Sequence, residues 1–219
     1  MDINQIEAEL QNPNSQHRLL AIVALKDHPA DVTVPILIKH LQDPEILVRT
    51  FVARELGRHR ISESFAALMQ MIKFDNIPNV RAEAANSLSF FGKISVSNLV
   101  QTFESDDDWL VRYSILAALM EMESPEELLQ VCALGLEGED VVVQETSIEA
   151  LGLLASSQRS GAALSKLLPL KDSEADNIRI RVAHALKYFD QPEAKSALAQ
   201  LRQDPDHRVV GAAMEDLIP

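Results

Sequence analysis

The residues best equipped for chemistry in this chain are five arginines, Arg18, Arg49, Arg81, Arg112 and Arg179. With Gln144 and Val210 they fall at steps of 31, 32, 31, 32, 35 and 31 residues. A guanidinium carries its donors in a planar fork that fits a carboxylate or the free carbonyls of a helix end. An arginine repeated at one place in every unit is therefore expected to build a ladder between units, which Gln144 and Val210 interrupt. Other chemistry is sparse. Glycines are too scattered for a phosphate loop, and neither Cys-x-x-Cys nor His-Glu-x-x-His occurs. The single cysteine, Cys132, is expected in the core and not as an acylated or redox-active thiol. The six histidines stand apart from one another, with surface or interface positions expected for each. The acidic run from Glu104 to Asp108 lacks the spacing of a calcium loop and reads as a solvated turn with capping carboxylates.

The elements that position the anchors are helices. Each anchor is followed at three, four and seven residues by apolar or small side chains, as Arg49 is by Val52, Ala53 and Leu56. The series closes on Val210, with Ala213 and Leu217, and Asp216 and Glu215 make that last helix polar. A second apolar stretch precedes every anchored helix: 3–10, 32–41, 65–72, 96–103, 128–136, 162–168 and 194–201. Asp43-Pro44, Ser124-Pro125, Gln191-Pro192 and Asp204-Pro205 read as caps followed by a first-turn proline. Loops are expected over 155–161 and 171–177, and period-two alternation is missing. The prediction is an all-α chain, an α-solenoid of about seven helix pairs, forming a single domain over 1–219. Leu20 and Val23 add apolar surface to the first anchored helix, for helix 2–11 or a partner to cover.

Composition narrows the function. The hydrophobic fraction of 47% suffices for a core. A net charge of −13 argues against nucleic acid. The charge is uneven: residues 1–100 hold 10 basic and 11 acidic side chains, and 101–219 hold 10 and 22. Such polarity can orient a partner. No apolar run is long enough to span a bilayer, the first residues lack a secretory signal, and the lone cysteine fits a reducing compartment. A cytoplasmic location is expected.

The Asp-Pro-x-x-x-Val-Arg pattern of 43–49, followed by Ala and Leu at helical spacing, resembles HEAT-like repeats of short period. That variant is found in the E/F-type phycobilin lyases. Asp108-Trp109-Leu110-Val111-Arg112, the segments around Gln144 and Glu149, Asn177 to Leu186, and Pro192-Glu193-Ala194-Lys195 resemble the cyanobacterial phycobilisome-degradation proteins of the NblB type. The resemblance implies a phycobiliprotein partner and action on or near its bound bilins. It implies no resident cofactor beyond transient phycocyanobilin.

A working face can be assigned from the helical geometry. With the core at +3, +4 and +7, the opposite face falls near +2, +5 and +9 of each anchored helix. These columns yield the candidate partner-binding residues Phe51, Arg54, Arg58, Glu83, Asn86, Phe90, Glu121, Arg181, His184 and Tyr188. The anchored helices are expected to line the concave side of the array. Aromatics bordered by arginine suit a protein interface, or a bilin whose propionates need cations and whose rings need apolar walls. Trp109 and Tyr113 are expected to pack. Three functions follow: bilin detachment or transfer on a bound phycobiliprotein, a scaffold for another complex, or lyase-like catalysis. The last would need a proton donor or a thiolate, for which His184 and Glu83 are the only candidates, since Cys132 is expected in the core.

Overall fold

The computed structural model describes residues 1–215, so the expectations for Asp216 and Leu217 lie outside the described residues. The chain forms two compact units, residues 1–118 and 119–219. In unit 1 the helices are α1 (Ile3–Leu10), α2 (Ser15–Ala24), α3 (Ala30–Ile38), α4 (Ile46–Arg58), α5 (Ser62–Phe74), α6 (Pro78–Ser89) and α7 (Lys93–Ser105). Next comes α8 (Trp109–Met120), in whose last turn the division falls. Unit 2 continues with α9 (Pro125–Glu137), α10 (Val141–Leu153), α11 (Ser160–Leu167), α12 (Asp176–Leu186), α13 (Pro192–Leu201) and α14 (His207–Met214). Among the described residues there are fourteen α-helices and no strand, paired as an α-solenoid.

The even-numbered helices carry the anchors, and their predicted core positions are sealed. Val52, Ala53 and Leu56 of α4, Ala84, Ala85 and Leu88 of α6, and Val182, Ala183 and Leu186 of α12 are each 0% exposed. Alanine is frequent on these faces because neighbouring anchored helices nearly touch. A Cβ built on Gly57 of α4 would lie 2.8 Å from Ser87 of α6, and one on Gly152 of α10 would lie 3.2 Å from Ala185 of α12. Glycine is required at both places for close approach, not for backbone freedom.

Local chemistry departs from the expected caps. Asp43 and Pro44 stand in a turn ahead of α4, whose N-cap is Glu45. Asp43 Oδ1 accepts the Glu45 N–H at 2.9 Å, and the rest of its carboxylate is engaged by Arg18. Ser124 precedes α9 but makes no capping hydrogen bond, nor does Gln191 ahead of α13. For α14 the cap is Asp206, two residues beyond Asp204. The loop expected over 155–161 is shorter, since a 3-10 turn covers Leu154–Ser156 and α11 begins at Ser160. A further 3-10 turn, Leu168–Asp172, absorbs much of the long sixth step.

Candidate functional site

The anchors form the ladder their chemistry implies. Each of the six polar ones donates to the main-chain carbonyl six residues before it: Arg18 to Asn12, Arg49 to Asp43, Arg81 to Asp75, Arg112 to Asp106, Gln144 to Gly138 and Arg179 to Ser173. Except in Arg112, which comes no closer than 3.8 Å to Asp107 of its own link, the remaining guanidinium donors reach an aspartate of the following repeat. Arg18 holds Asp43 at 2.7 and 2.8 Å, Arg49 holds Asp75 at 2.7 and 3.1 Å, and Arg81 holds Asp106 at 2.6 and 3.0 Å. In unit 2, Arg179 holds Asp204 at 2.8 and 3.0 Å. Burial alone would raise the Asp43 pKa, but the Arg18 hydrogen bonds, the Glu45 N–H and the Arg18 charge hold it below the usual value. These arginines are structural.

The predicted working face is largely open, and its charges are engaged with one another. Arg54 of α4 forks onto both oxygens of Glu83 of α6 at 3.1 and 3.2 Å, and its guanidinium lies 4.8 Å from the centre of the half-buried Phe51 ring. Arg58 is exposed, 3.3 Å from the buried carboxylate of Glu55. Asn86 and Glu121 are exposed. Phe90 is 46% exposed, while the adjacent half-buried Phe91 meets Phe65 edge-on at 5.3 Å. In unit 2, Arg181 of α12 bonds Glu145 at 3.1 Å and also Glu149, both on α10. His184 lies 3.4 Å from Glu215. Tyr188 is 65% exposed. Two positions in the predicted columns, Thr146 and Ala212, are buried.

The structure gathers part of this set. Arg181, His184 and Tyr188 line one groove of about 420 Å³ with Met120, Glu149, Leu153 and Ala185. Phe51, Arg54 and Glu83 form a second group, in unit 1. Of the groove's other members, Met120 and Ala185 lie outside the predicted columns, whereas Glu149 and Leu153 fall in the +5 and +9 columns. Trp109 and Tyr113 do not pack as expected, being 46% and 40% exposed. Trp109 precedes its anchor by three residues, a position that faces solvent in Ile46 and Val141 as well.

Of the candidates for chemistry, His184 stands beside Glu215, and the others are already engaged or enclosed. Both oxygens of Glu83 accept from Arg54, Cys132 is fully buried with its thiol pushed up by desolvation, and the described residues include no group of carboxylates, imidazoles and thiols able to hold a metal. No helix among the described residues is long and apolar enough to cross a membrane.

A family model of HEAT repeats matches residues 34–120 and 125–218. The chain belongs to the HEAT-repeat family. No curated protein matches it. Among solved structures, the E. coli protein YibA aligns over 97% of this chain and 80% of its own, at 17% identity and a TM-score of 0.65. A chain from the complex of CpcE and CpcF of phycocyanin lyase, from a Nostoc species, aligns over 100% of this chain and 95% of its own, at 17% identity and a TM-score of 0.55. At that identity both likenesses establish a shared HEAT fold, and a fold hosts many functions.

Proposed function

We propose that this HEAT-repeat protein acts by contact, docking a phycobiliprotein on its anchored-helix face and assisting bilin detachment or transfer, or phycobilisome degradation. The observation that carries the reading is the unit 2 groove, where exposed Tyr188 and Leu153 stand beside Arg181 and His184. An aromatic wall next to a guanidinium and an imidazole is what a bilin's rings and propionates, or a protein hot spot, would engage. The fold shared with a phycocyanin lyase chain supports the same reading, as does the resemblance at 108–112 and 177–186. Phycocyanobilin enters only as a transient guest. Soluble, cytoplasmic action fits a phycobiliprotein partner.

Titration with purified phycocyanin tests this. Saturable binding is expected, weakened at least tenfold by replacing Tyr188 and Leu153 with alanine together, and also by replacing Arg54, Arg58 and Phe90 together. Unchanged binding in both variants would remove the assigned face. The absorption spectrum of the mixture separates bilin handling from plain docking, since release or transfer shifts the bilin bands.

A second reading is a scaffold with no chromophore chemistry. It is favoured by the mutual engagement of the face's charges, Arg54 with Glu83 and Arg181 with Glu145 and Glu149. An unaltered spectrum on binding would select it.

A further inference from the structure

Unit 1 leaves open on its other layer what it closes between its anchored helices. Helices α4 and α6 are in contact along their length, whereas α5 and α7 barely meet. The space between α5 and α7 is a furrow of about 990 Å³, larger than the groove described above. Met69 and Ile72 of α5 form one wall, Asn98 and Gln101 of α7 the other, and the link Asp106-Asp107-Asp108 closes the end. A second furrow of about 480 Å³ shares Asp75 with it and carries Ile46 and Phe74. Phe74, the last residue of α5, is 71% exposed.

The charges show what would fit. Arg49 with Asp75 and Arg81 with Asp106 neutralise each other in the ladder. Asp107 remains, its side chain fully exposed and no closer than 3.8 Å to Arg112. Beside it Asp108 uses one oxygen to cap the Leu110 N–H. The opposing cation, Lys73, is drawn over the Phe74 ring at 5.3 Å. The polar wall is also available. Gln101 makes no side-chain hydrogen bond among the described residues, and the Asn98 amide reaches only the Ile94 carbonyl, at 3.5 Å. Free carboxamides along an open furrow can pair with both the N–H and the C=O of an extended main chain, which a helix would keep for itself. Carboxylates at the mouth repel nucleic acid and anionic membrane and attract a cationic side chain.

We propose that this furrow binds an extended segment of a partner protein. Its main chain meets Asn98 and Gln101, an apolar side chain packs on the half-buried Met69, and a lysine or arginine reaches Asp107. The site is independent of the anchored-helix face and of any bilin.

The test is fluorescence anisotropy with a short labelled peptide of alternating lysine and valine. Saturable binding is expected. Replacing Asn98 and Gln101 with alanine together should weaken it about tenfold, from the loss of a few hydrogen bonds. Asp107→Asn should weaken it about threefold and flatten its salt dependence. Gln101→Lys, which places a cation on the polar wall, should weaken it further without loss of helicity by circular dichroism. Glu193→Gln, the same charge change on exposed α13, should leave it unaltered. No binding by the parent, equal binding by the Asn98/Gln101 variant, equal loss in Glu193→Gln, or equal binding of a glutamate–valine peptide would each overturn the proposal.

Discussion

The two units repeat the same helix pair, yet they tie their repeats together differently. Unit 1 carries an unbroken run of buried forks, Arg18–Asp43, Arg49–Asp75 and Arg81–Asp106. Unit 2 has one, Arg179–Asp204, and puts Gln144 where another would start. Its other ion pairs along this layer each leave at least one partner open to solvent: Arg181 with Glu145 and Glu149, Arg208 with Asp176, and Lys187 with Glu215. A buried ion pair contributes little net stability relative to apolar packing, but breaking one leaves a desolvated charge without a partner. The ladder therefore fixes the register of the repeats more than it adds stability. Unit 2 shows that the close approach of small residues can hold the same geometry with fewer rungs.

The sharpest way to break this comparison is Arg81→Met. It leaves the Asp106 carboxylate without its partner in a site where that side chain is 10% exposed. A loss of about 3–5 kcal/mol in urea unfolding is expected. Gln144→Ala, which removes only a donor to the Gly138 carbonyl, should cost about 1 kcal/mol. Equal losses would mean that the ladder has no special role.

The next effect probes the seam both units share. Gly57→Ala and Gly152→Ala each force a Cβ against a neighbouring helix, at 2.8 Å from Ser87 and 3.2 Å from Ala185. Each should cost about 1–3 kcal/mol. Gly161→Ala, with nothing within 4 Å, should be neutral or stabilising by about 0.5 kcal/mol.

Titration contrasts two carboxyl groups within unit 1. Asp43 is held below its ordinary value of 3.8, so its contribution is fully present above that pH and is lost as pH falls through the lower folded value. Glu55 is the opposite case. It is 3% exposed, one carboxylate oxygen has no hydrogen bond, and desolvation raises its pKa above 4.5 despite nearby Arg58, Arg54 and Lys26. Its burial as an anion costs stability at neutral pH, and that cost disappears as pH falls through the raised value. Glu55→Gln should therefore stabilise the protein by about 1 kcal/mol at pH 7, and the gain should vanish in acid. Chemical unfolding at both pH values reads the difference.

The smallest effect is salt. Screening should loosen the exposed pairs of unit 2 before the buried forks of unit 1, by less than about 1 kcal/mol. Amide exchange resolved by segment at low and high salt would detect it.

Most of the fold was legible in the residues. The anchor spacing marked every repeat, and the apolar stretches located all seven first helices to within a few residues. The aspartate partners of the anchors were not legible, because a contact 25 or 26 residues away depends on how neighbouring repeats are stacked. The site was half legible. The columns placed Phe90, Tyr188 and Arg58 on the surface, but not the pairing of Arg54 with Glu83, nor the exposure of Trp109. Trp109 misleads because apolar character reports a need for burial only where a neighbour is present to provide it.

By itself the sequence determined the period, the helix pair and the structural use of its arginines, since helical faces are set by spacing of 3.6 residues per turn along a local stretch. The tertiary structure decided which charges are already engaged, which aromatics stay open to solvent, and that α5 and α7 leave a furrow while α4 and α6 do not. Those outcomes depend on the distance between helices, and that distance is set by a few small residues at each seam.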